Sequence, residues 1–193
     1  NVVPDGSVNF DKLRELVDWH IENKTDAILT LGTTGESSTM THEEDDATLR
    51  CVIEAAAGRV PVIAGTGSNS TENALALSRD AERAGADGLL LVTPYYNKAS
   101  QAGLIRHFQV IADGVDVPLI LYDVPSRTGV SIAPETYAEL AKHPNINGVK
   151  EASGNFSLLS HTRALCGPDF HIWSGNDDQV VPMMSLGAEG VVS

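Results

Sequence analysis

The sequence predicts an α/β chain folded as a TIM (β/α)8 barrel. Short apolar, β-branched runs alternate with stretches of helical periodicity from end to end, which implies a parallel sheet with crossover helices. The polar residues suited to chemistry follow several different runs rather than collecting after one. An open doubly wound sheet gathers its site at a single switch point, whereas a barrel draws on the C-terminal ends of most of its strands. The number of runs is the exception: seven are present, and closure needs about eight.

Helical periodicity over residues 9–23 opens the chain, and Ala-Ile-Leu-Thr-Leu at 27–31 is the first strand run. Thr41 followed three residues later by Glu44 forms a capping-box signature for a helix over 42–57. The acidic Glu43-Glu44-Asp45-Asp46 suits the positive end of that helix better than it suits a metal. A strand run at 60–64 and a helix at 71–84 follow. Ala84-Gly85-Ala86-Asp87-Gly88 then stops the helix before the strand at 88–92. The remainder repeats the unit: helix 101–113, strand 118–124, helix 134–142, strand 146–150, helix 158–166, strand 171–174, helix 178–186 and strand 190–192. A single barrel domain over 1–193, truncated at both ends, is expected, since barrels usually run to about 250 residues.

Composition removes several classes of function. A net charge of -13 is unfavourable for approach to nucleic acid or an anionic membrane. No run approaches the roughly 20 apolar residues of a membrane span, and Asn1-Val2-Val3-Pro4-Asp5-Gly6 lacks a signal pattern, so a cytoplasmic protein is expected. Cys51 and Cys166 fit no metal or redox spacing and are expected as buried free thiols. The six histidines show no i,i+4 pair beside a carboxylate, so no metal is expected. Gly65-Thr66-Gly67 lacks the third glycine of a dinucleotide turn, and no cofactor is expected.

Lys150 closes the run Ile146-Asn147-Gly148-Val149-Lys150. Strand alternation puts it with Gly148 and Ala152 on the face opposite Val149 and Glu151, pointing into the barrel. Such a lysine is either an ion-pair partner or a nucleophile, and position alone does not decide. As a nucleophile it must be neutral, and lowering its pKa from about 10.4 to about 7 takes roughly 4–5 kcal/mol, which burial and a cation such as Arg127 can supply. A neutral amine forms an imine with a carbonyl compound, and the imine is an electron sink that permits aldolase-type chemistry without a metal. That chemistry moves protons and needs a hydroxyl near Lys150. Tyr122 ends the run Pro118-Leu119-Ile120-Leu121-Tyr122, where a core tyrosine is the plainer reading. Thr33 and Thr34 lie in a Gly-Thr-Thr-Gly stretch that reads equally well as a tight turn. Tyr95 and Tyr96 suit packing or an interface, and Arg127 is either a solvated loop charge or a bidentate carboxylate grip.

Four segments carry a resemblance: Gly32-Thr33-Thr34-Gly35-Glu36-Ser37, Val92-Thr93-Pro94-Tyr95-Tyr96-Asn97-Lys98, Val124-Pro125-Ser126-Arg127-Thr128-Gly129 and Val149-Lys150-Glu151-Ala152-Ser153-Gly154. In this order they resemble the dihydrodipicolinate synthase family of the N-acetylneuraminate lyase superfamily, over residues 6–193. The resemblance implies a lyase in lysine and diaminopimelate biosynthesis that condenses pyruvate with L-aspartate 4-semialdehyde. It implies that Lys150 forms the Schiff base and that Tyr122, Thr33 and Tyr96 form a proton relay. Thr34 and the backbone near Val192 would hold pyruvate, Arg127 would grip the semialdehyde carboxylate, and Gly175 would line the pocket. It also implies a homotetramer in which Tyr96 reaches a neighbouring subunit, and it places a first strand and a C-terminal helical region outside this sequence.

Sugar-acid aldolases of the superfamily share the lysine and tyrosine but have no matching need for the Pro-Ser-Arg-Thr-Gly arginine. A pyruvate-dependent aldolase of that kind, and a barrel that binds without turning over, are the alternatives. Asp123 stands where the family usually has asparagine, and it is expected to point away from the pocket. The family's lysine pocket maps onto Ser37, Ser38, His42, Asp45, Asn69, Asn73 and Tyr95. Asp45 and Asn73 replace the histidine and glutamate of lysine-sensitive members, so weak feedback by lysine is expected.

Overall fold

The structure, a computed structural model, describes residue 3 and residues 6–193. In chain order the elements are α1 (Phe10–Glu22), β1 (Ile28–Thr30), α2 (His42–Ala56), β2 (Val62–Gly65), α3 (Thr71–Ala84), β3 (Gly88–Val92), α4 (Gln101–Ala112), β4 (Leu119–Asp123), α5 (Pro125–Thr128), α6 (Pro134–Leu140), β5 (Ile146–Glu151), α7 (Phe156–Cys166), β6 (His171–Ser174), α8 (Val180–Ser185) and β7 (Gly190–Val191). Three 3₁₀ turns, Thr33–Gly35, Ser37–Thr39 and Asp177–Gln179, complete them.

Among the described residues seven strands form one parallel sheet in the order β1-β2-β3-β4-β5-β6-β7. Right-handed crossovers repeated without a reversal of strand order put every helix on the same side of the sheet. The opposite side must then curl to face itself, which is the (β/α)8 barrel solution rather than the doubly wound one. Among the described residues β1 and β7 are not hydrogen-bonded to each other, so the barrel is incomplete at that seam. None of the helices is long and apolar enough to cross a membrane, again among the described residues.

The helix-facing row of the sheet, Leu89, Leu91, Leu119, Leu121, Val149 and Ile172, is at most 1% exposed and packs under Leu104, Phe108, Ile111, Tyr137, Leu140 and Leu159. Each such aliphatic side chain contributes about 1.5–3 kcal/mol on burial. The inner row is half-buried: Tyr122, Trp173 and Ile120 alternate with fully buried neighbours. Helix ends follow the sequence signals. Thr41 Oγ1 accepts from Glu44 N at 3.2 Å while Glu44 Oε2 accepts from Thr41 N at 2.8 Å, completing the capping box. Gly85 ends α3 at φ 100°, a left-handed geometry that favours glycine. Boundaries differ by up to two residues, as where the run expected over 178–186 begins as a 3₁₀ turn and becomes α-helical only at Val180. Cys51 is buried as expected, but Cys166, the last residue of α7, is only partly buried; both are free.

Candidate active site

Lys150 and Tyr122 are cross-strand register partners at the ends of β5 and β4, on the inner face. The Lys150 side chain is 9% exposed, and its Nζ lies 4.6 Å from the centroid of the Tyr122 ring. Among the described residues this amine makes no hydrogen bond or ion pair. Burial lowers its pKa; the Asp177 carboxylate opposes that shift, and Arg127 reinforces it. Burial pushes the Tyr122 phenol up, with Arg127 pulling it back. The ring face beneath Nζ favours the ammonium form, as cation–π contacts do, so the lowering rests on desolvation and on Arg127.

Backbone hydrogen bonds fix the wall beside the amine. Gly175, just beyond β6, donates from its N–H to Glu151 O at 2.8 Å. A Cβ there would sit 2.8 Å from Ala152 Cβ and 3.1 Å from Lys150 Cε. Only glycine leaves room there for the lysine chain to run past. Val192 N donates to Ser174 O at 2.8 Å, prolonging the β6–β7 pairing to the same rim. Arg127 lies on α5, exposed, where the sequence reading had a loop. Its field nevertheless reaches both Lys150 and Tyr122.

Thr33 and Thr34 form the 3₁₀ turn after β1 and are exposed. Tyr96 is 90% exposed at φ 75°. Among the described residues no side-chain hydrogen bond joins Thr33, Tyr96 and Tyr122. The structure therefore brings Lys150, Tyr122 and Gly175 together and leaves the two outer hydroxyls apart within one chain.

Asp177 was not singled out from the sequence, although it belongs to Ser174-Gly175-Asn176-Asp177, a segment that follows a strand end. Its Oδ2 accepts from Ser193 Oγ at 3.1 Å. Also missed was the row behind the site. Asp123 points away from the pocket as expected, but the same alternation that turns Lys150 inward sets Asp123 directly beside Glu151 on the helix side. Among the described residues no three side chains gather in a metal-binding arrangement. A separate cavity of about 470 Å³ between α2 and α3 brings together His42, Asp45 and Asn73 from the expected effector set, along with Arg50, Asp80 and Arg83. Asn69 lies nearer the Tyr95 loop, its Nδ2 donating to Tyr95 O at 3.3 Å.

This geometry has close counterparts. A family model described as the dihydrodipicolinate synthetase family matches residues 2–193. A 4-hydroxy-tetrahydrodipicolinate synthase of a Thermoanaerobacter species is 56% identical over 187 residues, 96% of this chain and 63% of the relative. That of Geobacter sulfurreducens is 56% identical over 189 residues, 98% of this chain and 65% of the relative. The crystal structure of the chloride-inhibited dihydrodipicolinate synthase of Acinetobacter baumannii, complexed with pyruvate, superposes with a TM-score of 0.97 at 44% identity, covering 100% of this chain and 66% of the other. The chain thus spans about 63% of the length of curated relatives that it matches. A lysine and a tyrosine paired across β5 and β4, a glycine that lets the lysine pass, and a match from residue 2 to residue 193 converge: the chain belongs to the dihydrodipicolinate synthetase family.

Proposed function

We propose that the chain is the catalytic barrel of a lyase that condenses pyruvate with L-aspartate 4-semialdehyde to give 4-hydroxy-tetrahydrodipicolinate, in lysine and diaminopimelate biosynthesis. The observation that carries this reading is Lys150 itself: a nearly buried amine, depressed in pKa, unpaired among the described residues and 4.6 Å from the Tyr122 ring centroid. Relatives named 4-hydroxy-tetrahydrodipicolinate synthase, at 56% identity, support the choice of reaction.

Neutral Lys150 Nζ attacks the keto carbon of pyruvate, and loss of water leaves an imine. Tyr122, whose ring lies under Nζ, hands a proton to the departing oxygen, and Thr33 together with Tyr96 of a second copy would connect it to solvent. Loss of a methyl proton gives the enamine, whose carbon adds to the aldehyde of the semialdehyde. The amino group of the adduct then attacks the imine carbon and releases Lys150 unchanged. Thr34 and the backbone at Val192 hold the pyruvate carboxylate, Arg127 binds the carboxylate of the semialdehyde, and Gly175 shapes the wall. The imine itself stores the electron pair, so this route calls on no metal or cofactor.

The 90% exposure of Tyr96 supports an assembly in which a second copy covers it, and we place the chain in a cytoplasmic homotetramer. The substitution Arg127→Ala tests the acceptor. Borohydride reduces the lysine imine to a stable amine, so pyruvate binding is read as covalent mass. The variant should still be trapped with pyruvate, more slowly near neutrality because Arg127 helps to lower the Lys150 pKa, while turnover of the semialdehyde falls by roughly a further ten- to hundredfold, as expected for a lost charge-assisted carboxylate contact. Retained semialdehyde turnover, or turnover of sugar acids instead, would refute the assignment.

A further inference from the structure

One residue beyond Tyr122 and Lys150, Asp123 and Glu151 are register partners on the helix side of the sheet, 0% and 3% exposed. Their hydrogen-bond donors can be counted. Ser131 Oγ donates to Asp123 Oδ2 at 2.7 Å, and Ile132 N donates to the same oxygen at 3.3 Å. Ser153 N donates to Glu151 Oε1 at 2.6 Å, the Ser153 hydroxyl also favours the charged form of Glu151, and the Tyr137 hydroxyl donates to Glu151 Oε2 at 3.4 Å. Asp123 Oδ1 is buried with no partner. Tyr137, itself 0% exposed, feels both carboxyls but has one hydrogen to give.

The surrounding elements supply no counter-charge. Beside Asp123, just past the end of β3, is Thr93, whose Oγ1 is also buried without a partner. On β6, Ser174 is the register partner of Glu151 and gives its hydroxyl to Asn176 O at 2.8 Å. The 129–133 segment brings Ser131, α6 brings Tyr137, and α4 brings the neutral Gln101, which is bound to Ser131 O and Ala133 N. On α7, Leu159 and Thr162 are the buried residues, and Arg163 is engaged by the carbonyls of Gly167, Phe170 and Gly187. Among the described residues no basic side chain forms an ion pair with either carboxyl.

Two adjacent buried carboxylates without a cation are strongly unfavourable, and one proton placed between them removes both the repulsion and the unmet oxygen. We propose that Asp123 and Glu151 hold a single proton between them at neutral pH, and that its loss drives the ends of β4 and β5 apart and misplaces Tyr122 and Lys150. They are positioning residues, and only this last consequence rests on the reading of Lys150 and Tyr122 as the reacting pair. The direction of titration agrees. Burial pushes Asp123 up to about 6, and burial together with the charge of Asp123 pushes Glu151 up to about 7. For acids held above their unfolded values the native state keeps the proton longer, so the stability that the pair contributes is present at low pH and is lost as pH rises from the ordinary carboxylate range through those values.

The test compares the parent protein with Asp123→Asn, which keeps the shape and removes one ionisation. In denaturant titrations at about pH 5 and about pH 8, the unfolding constant of the parent should rise roughly ten- to thirtyfold more than that of the variant. Infrared spectra of the parent should show a protonated-carboxyl C=O stretch near neutrality that vanishes at alkaline pH and that is lost at lower pH in Asp123→Asn and Glu151→Gln, where the remaining carboxyl has no charged neighbour. The alkaline fall in the rate of pyruvate trapping should move to higher pH in Asp123→Asn. Parallel stability profiles with no protonated-carboxyl band would overturn the proposal, and an alkaline limb that does not move would overturn its positioning part. If Asp123→Asn does not fold, Glu151→Gln and the infrared band of the parent decide the question. Stability and infrared results as expected, with no trapping in any protein at any pH, would leave the shared proton standing and remove Lys150 as the nucleophile.

Discussion

Replacing Gly175 by alanine puts a methyl group where the Lys150 side chain runs. The new Cβ would lie 2.8 Å from Ala152 Cβ, 3.1 Å from Lys150 Cε and 3.2 Å from Lys150 Cγ. Carbon atoms prefer about 3.5–4.0 Å, so the shortfall is roughly 1 Å at Ala152 and about half that at the lysine. Ala152 Cβ is fixed to the backbone, so that contact is relieved only by moving the ends of β5 and β6 apart, while the lysine chain rotates away from the new methyl; both shifts displace Nζ. Overpacking of this size costs about 1–3 kcal/mol, or about 2–12 °C in Tm for a chain of this length. A nucleophile displaced by about 1 Å loses about a hundredfold in rate. The assay is the rate of borohydride-trapped pyruvate adduct for Gly175→Ala beside its thermal unfolding. Parent-like trapping with an unchanged Tm would refute the claim that the lysine passes against this glycine.

Two further substitutions test separate parts of the structure. Asp177→Asn removes the carboxylate that opposes the lowering of the Lys150 pKa, so the amine pKa should fall further, and trapping below neutrality should quicken about two- to fivefold, the small size reflecting an exposed, screened charge; a slower rate at acidic pH would contradict the sign. Thr41→Ala breaks the capping box of α2 and should cost about 1 kcal/mol, read as a Tm lower by about 2–4 °C with trapping unchanged.

Much of the fold was legible because its signals are local. Thr41 and Glu44 announce α2, Gly85 ends α3, and the apolar runs match seven strands to within a residue or two. The 3₁₀ turn at Asp177–Gln179 was not legible, because the carboxyl-rich start of that stretch reads as an ordinary helix N-terminus. For the site, alternation was enough to turn Lys150 inward and Asp123 outward, but not to align one strand with the next. Once the register sets Tyr122 beside Lys150, it also sets Asp123 beside Glu151, and that second pair follows only from the parallel pairing of β4 and β5. The influence of Asp177 on Lys150 depends likewise on how the turn after β6 folds back, which no local pattern encodes.

The central claim is that Lys150 is a neutral amine able to form an imine with a keto acid. Incubation with pyruvate and borohydride, followed by peptide mass spectrometry, tests it directly. The account predicts one reduced pyruvate adduct per chain, located on Lys150 and abolished by Lys150→Arg. An adduct on another lysine, or an unmodified Lys150 under conditions where the protein is folded, would contradict it.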